Sequence, residues 1–282
     1  MVNRNAGKRL LVLMAVLLLQ WAFAGVLTAA EPAKIVQGGA VLTVAESKRL
    51  IAKAVVQMPI VKNALANGMV IIIKGTTNAY VAEEITGQKV ERPAFVTGRI
   101  TGKGPELMPK VKTANHVILQ EGKVVDIPLA DAVKKLKAGD VVMKGANALD
   151  YKNRMAAVDI VDPAAGTTGI TMPFIVARKV HLVIPVGLEK LVAGDIADLT
   201  LKMREPMESL NLIPSMWLLT GEIVTELEAI KILTGATAFQ SSAGGISGAE
   251  GGVWLVFRGT REQVSNALKL VQSIKGEPPY TE

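Results

Sequence analysis

The chain has 282 residues, 50% of them hydrophobic and 20% charged, which gives ample apolar material for a core and excludes a disordered protein. It contains no cysteine, which excludes disulfides, thiolate metal sites and a cysteine nucleophile. The formal net charge is +7, but the bases are scattered and only 5 Phe, 3 Tyr and 3 Trp are present, so the basic, aromatic-rich surface of a nucleic-acid-binding protein is not expected.

Residues 1–30 hold Arg4, Lys8 and Arg9 and no acid. An apolar run from Leu10 to Leu19 follows the bases, and Thr28-Ala29-Ala30 places small residues before Glu31 and Pro32. A positive segment, an apolar run and a small-residue site are the three parts of a secretory signal. The apolar character continues to Leu27, long enough for a membrane anchor as the alternative, while Gln20 and the small residues favour cleavage. A periplasmic or secreted protein is expected, touching the membrane only through this segment.

Beyond the leader, Thr43-Val44-Ala45-Glu46 reads as a capping box opening a helix through about Val56. A second helix runs from Pro59 to Asn67, with Gly68 at its end. The β-branched run Met69 to Ile73 has strand length and feeds the polar loop Gly75-Thr76-Thr77-Asn78, which opens a helix through Ile85. His116 to Gln120 and Lys123 to Ile127 flank Glu121-Gly122 as a hairpin. The strand-loop unit recurs at Asp140 to Met143 with Lys144-Gly145-Ala146-Asn147, and again at His181 to Pro185 with Gly187-Leu188-Glu189-Lys190. Between them, Gly166-Thr167-Thr168-Gly169 opens a helix reaching about Arg178. Alternating strands and helices predict an α/β domain over 40–205, a mostly parallel sheet with helices on both faces.

From about Asn211 the pattern changes to strand (Met216–Leu219), helix (Thr225–Leu233), two strands (Ala236–Gln240 and Val253–Arg258) and helix (Thr260–Ile274). That order is most of a ferredoxin-like α+β unit, expected over 211–276 with a linker near Glu205 to Pro214. The Gly/Ser-rich stretch Ser241 to Gly252 either clasps a ligand or neighbouring subunit or simply connects a hairpin. A homo-oligomer built on this unit is one expectation.

A helix N-terminus presents unpaired N–H groups and a partial positive charge, so a glycine-threonine loop there suits phosphate or carboxylate. Gly75, Thr76, Thr77 and Asn78 form one such loop, and Gly166, Thr167, Thr168 and Gly169 a second. The plain alternative for each is an ordinary turn with a Thr or Asn cap. Lys144, Asn147 and Asp150 follow the central strand, where Asp150 can orient a hydroxyl or act as a general base, and Lys190 can meet a phosphate as a point charge. His116 and His181, without a carboxylate cluster, read as structural, so no metal is expected, nor any cofactor.

These loops resemble those of the superfamily that contains ribose-5-phosphate isomerase, glucosamine-6-phosphate deaminase, sugar-sensing regulator domains and CoA transferases. The resemblance covers about residues 45–200. It rests on Val70 to Ala79, on Val141 to Asp150, on Gly166-Thr167 and on Ile184 to Lys190. It implies a sugar-phosphate-type ligand and isomerase chemistry using Asp150 and Lys190. Asn147 stands where the isomerase pattern has its second Asp, which leaves Asp150 as the only base of that motif. The expected function is binding of a small anionic or polyhydroxylated ligand, with an isomerase-type enzyme or an envelope assembly protein as the alternatives.

Overall fold

The computed structural model describes residues 34–101, 104–106 and 113–280. The leader, residues 1–30, lies outside the described residues. Among the described residues no helix is long and apolar enough to cross a membrane.

Strand β1 (Val36–Leu42) leads into helix α1 (Val44–Gln57) through a complete capping box: the Thr43 side chain accepts from the Glu46 amide, and the Glu46 carboxylate accepts from the Thr43 amide. Leu50, Ile51, Ala54 and Val55 are buried at helical spacing. Pro59 starts α2 (Pro59–Asn67), where its missing N–H costs nothing. Strand β2 (Met69–Ile72) is buried at every position, the mark of a strand covered on both faces. Helix α3 (Thr76–Thr86) follows, then the small hairpin of β3 (Arg99–Thr101) and β4 (Gly104–Glu106). The hairpin of β5 (Val117–Gln120) and β6 (Lys123–Val124) turns through Glu121 and Gly122, both at positive φ.

Helix α4 (Leu129–Ala132) precedes the buried strand β7 (Val141–Met143), and β8 (Ala148–Asp150) pairs with β9 (Met155–Ile160). Helix α5 (Gly166–Arg178), β10 (His181–Pro185) and α6 (Ile196–Lys202) continue the chain. It ends with β11 (Ser215–Leu219), β12 (Glu222–Val224), α7 (Glu226–Thr234), β13 (Thr237–Ala243), β14 (Val253–Gly259) and α8 (Arg261–Ser273).

The main sheet has six strands in the order β12-β10-β7-β2-β5-β6. β12, β10, β7 and β2 pair in parallel, and β5 and β6 are added through antiparallel pairs, so the sheet is mixed. The carboxylate of Asp140, 1% exposed, accepts from the Met69 amide at 2.8 Å and from the Lys137 amide at 2.7 Å. The Asp140 carbonyl accepts from the His181 amide at 2.9 Å. One residue therefore ties the starts of β2, β7 and β10. At the opposite edge Asn78, fully buried, donates to the carbonyls of Ile73 and Met143 and ties the ends of β2 and β7.

The strands after residue 211 do not form a four-stranded ferredoxin-like sheet of their own. β12 extends the main sheet, β11 pairs antiparallel with β9, and β13 and β14 form a third sheet with β1. The partners β1 and β9 lie far away in sequence, and three-residue β12 leaves no period to read. Residues 244–252 connect β13 to β14 as a hairpin loop, with the Gly244 amide donating to the Gly252 carbonyl.

Two outcomes are expected. Asp140→Ala strands two amides without their acceptor and should lower the unfolding free energy by about 3 kcal/mol, whereas Asp140→Asn, which keeps an acceptor, should cost less; equal urea midpoints for both variants and wild type would refute the clamp. Limited proteolysis should cut first near Leu210, which is 97% exposed. The fragments should co-elute on size exclusion, because β11 and β12 remain hydrogen-bonded to β9 and β10.

Candidate functional site

Parallel β2, β7 and β10 end at one edge, the edge at which open α/β sheets bind ligands. The segments that follow them line a single cleft of about 1260 Å³: Lys74 to Thr77 after β2, Lys144 to Asn147 after β7, and Val186, Gly187 and Lys190 after β10. Val158 to Asp162 and Ala165 to Thr168 form a further wall. The second glycine-threonine loop reaches this edge by a route the sequence pattern did not anticipate. It follows β9 of the small antiparallel sheet, and α5 then carries the chain back to the start of β10.

Gly75, Thr76, Thr77, Lys144, Asn147, Gly166, Thr167, Thr168 and Lys190 all line the cleft. Among the described residues the amides of Thr76, Thr77 and Asn78 have no protein acceptor, as expected for the first turn of a helix. Gly75 has an extended backbone, and a Cβ there would meet nothing within 4 Å, so a larger side chain has open space to fill. Asp162 shapes the other loop. Its carboxylate accepts from the Ala164 and Gly166 amides across a turn in which Ala165 and Gly166 both have positive φ.

Three expected site residues are placed differently. Asn78 is committed to strand carbonyls and is absent from the cleft wall. Gly169 is needed for close packing, since a Cβ would collide with the Ala164 carbonyl. Asp150 lies off the cleft wall, where its carboxylate accepts from the Asn153 amide at 3.0 Å, the Asn153 side chain at 2.9 Å and the Ile196 amide at 3.4 Å. Those hydrogen bonds, the Asn153 amide foremost, hold its pKa below the ordinary value, so it caps a turn and is a poor base. Two acids do line the cleft, Asp159 and Asp162; Asp162 is engaged by the Ala164 and Gly166 amides, whereas burial raises the pKa of Asp159 against the opposing effect of Lys190.

Lys144 is 7% exposed, and its ammonium donates to Thr167 Oγ1 at 3.0 Å. Among the described residues no carboxylate pairs with it, and burial pushes its pKa down to about 8. Behind it lies His116, brought down to about 4 by burial, Lys74 and Lys144. The neutral ring accepts from the Lys74 amide through Nδ1 at 3.1 Å, which places its proton on Nε2. Lys74 itself lines the cleft, with its pKa lowered by burial. Sequence reading passed over Lys74, although its place directly after a buried strand and before Gly75 is the signal that selected Lys144.

A second buried cluster lies beside Gly187. The Glu189 carboxylate lies where a Gly187 Cβ would be, and both its oxygens are buried without a hydrogen-bond partner, as is Glu226 Oε1. Glu226 Oε2 accepts from the Leu188 amide at 3.0 Å. Burial and then Glu189 raise the Glu226 pKa to about 7. Lys48, also buried, has its pKa lowered by burial, with Glu189 opposing the shift. Among the described residues no group of three acid or histidine side chains could hold a metal ion.

No family model, curated protein or solved structure matches the chain.

Two measurements follow from these placements. Gly169→Ala should destabilise the protein by more than about 1 kcal/mol through the clash with Ala164, while Gly75→Ala should be nearly neutral, in paired thermal melts. The folded Glu226 pKa lies above the ordinary 4.5, so the native state binds the extra proton between those values and stability falls as pH rises from 4.5 to about 7. Glu226→Gln does not titrate, so its stability advantage over wild type should grow across that window, by up to about 3 kcal/mol. A constant difference between pH 4.5 and 8 would contradict it.

Proposed function

We propose that the cleft binds a small molecule carrying a phosphate or carboxylate group, seated between the starts of α3 and α5. The observation that carries this reading is the Lys144 ammonium: buried, without an acid partner among the described residues, and hydrogen-bonded to Thr167 at the cleft wall. Unpaired charge in a protein interior is costly, and an anion would offset that cost. Lys74 adds a second cation, and the free amides of Thr76 and Thr77 add donors without carrying a proton that can be lost. An isomerase-type activity in this cleft would use Asp159 in place of Asp150, because Asp159 lines the wall and its raised pKa suits proton transfer. The leader motifs favour export, and N-terminal sequencing of protein recovered from the cell envelope should then begin near Glu31; an intact Met1 in the cytoplasm would reject export without touching the ligand proposal.

Calorimetric titration with sulfate, which does not itself titrate near neutrality, tests the site. Lys144→Met should weaken binding tenfold or more, and Thr77→Ala by about 1 kcal/mol, roughly fivefold. Gly75→Val should block binding while leaving the melting temperature close to wild type, since its side chain enters open space. Sulfate affinity should fall as pH rises through about 8, where the Lys144 ammonium loses its proton. Equal heats for wild type and all three variants would mean that the loops are only turns.

A further inference from the structure

We infer that Lys144 is an imine-forming lysine, whose Nζ condenses with an aldehyde or ketone that also carries the anionic group held at the two helix starts. The inference rests on the anion-binding reading and adds to it the class of ligand and a covalent step.

Lys144 sits at the end of β7, where its amide donates to the Val183 carbonyl, so its backbone is fixed by the sheet rather than by a loop. The side chain is buried, yet it forms part of the cleft wall, so a ligand in the cleft can reach the amine. Thr167 Oγ1 accepts one of its N–H groups at 3.0 Å and thereby orients the nitrogen. A lysine that only neutralises a phosphate needs to stay charged. The surroundings here oppose charge: the amine is buried, and no carboxylate pairs with it among the described residues. Burial brings the amine to about 8, so near neutrality a usable fraction is the free nucleophile.

The step balances without a co-reactant. The neutral amine attacks the carbonyl carbon, the carbonyl oxygen takes up a proton, and the resulting carbinolamine loses that oxygen as water. Overall, the lysine ammonium and the carbonyl compound give an iminium ion and one water, with no net gain or loss of protons. The iminium restores the positive charge at Nζ, so the bound anion has its counter-charge both before and after the condensation.

The experiment treats the purified full chain with pyridoxal 5′-phosphate, a probe that combines an aldehyde with a phosphate, and then with borohydride to reduce any imine. Peptide mapping locates the label. At pH 8 an amine with a pKa near 8 has roughly a hundredfold more of its neutral form than an exposed lysine, so the label should concentrate on the Lys144 peptide. Excess inorganic phosphate should protect that peptide, and pyridoxal, which lacks the phosphate, should label it about tenfold less or worse. Label spread evenly over surface lysines, or undiminished total labelling in a folded Lys144→Arg variant, would overturn the inference. The wild-type map decides even if that variant fails to fold. Sulfate binding without Lys144 labelling would overturn the imine alone and leave the anion site standing, whereas the absence of both would overturn the two together.

Discussion

Parallel strands end on the same side only if their register is held, and here two buried polar side chains hold it. β7 has three residues and its neighbour β2 has four, too few ladder hydrogen bonds to resist slippage without help. Asp140 joins the starts of β2, β7 and β10, and Asn78 joins the ends of β2 and β7. A slip of one residue would break the Met69–Asp140 and Asn78–Met143 hydrogen bonds and leave each buried group with its local partner alone, at a cost of about 1 kcal/mol or more for each. Lys74, Lys144 and the wall segment from Val186 are adjacent because that register is fixed. The cleft is thus a consequence of the clamps, and the chemistry of its loops follows from where the clamps place them.

Charge is sorted across this edge. Lys74, His116 and Lys144 gather at the ends of β2 and β7, whereas the unpaired oxygens of Glu189 and Glu226 lie beneath the loop after β10, with Lys48 nearby. Each group carries charge into a low-dielectric interior, and each responds by shifting toward its neutral form: the bases downward, Glu226 upward. Sequences tolerate such arrangements mainly where the titrating groups have work to do, which is why perturbed groups around a cleft point to function.

Much of the local structure was legible. The capping box at Thr43, the proline start of α2, the helix start at Thr260 and the buried runs of β2 and β10 are signals confined to a few neighbouring residues, and they fall where the sequence placed them. Pairing was not legible. β1 finds β14 more than two hundred residues away, and nothing in either strand names the other. The same distinction governs the site. Residues in strand-end loops were readable because the loop itself carries the signal. Asp150 misled because it shares its loop with Lys144, yet β8 turns it away to cap the following turn. Asp159 and Glu226 were missed because only the fold brings one to the cleft and buries the other.

The last wall of the cleft comes from the far end of the chain. Tyr280 lines the cleft, and its hydroxyl donates to the Arg92 carbonyl at 2.6 Å. Three residues earlier, Glu277 bridges Arg49 of α1 and Arg92, both of which also pair with Glu83 of α3. Arg49 and Arg92 each lie over the Tyr80 ring, at 4.8 and 4.0 Å from its centre. An isolated surface ion pair contributes little, but these five side chains are largely shielded from water and share partners, so removing any one exposes the others. Burial opposes the charge on Glu277, and the hydrogen bonds from Arg49 and Arg92 outweigh it, holding its pKa below the ordinary carboxylate value. The tail is consequently anchored at Glu277 and Tyr280. Tyr280 thus forms a side of the cleft that is tied to Arg92, and through the ion pairs of Arg92 and Glu277 that side is anchored to α3 at Tyr80 and Glu83.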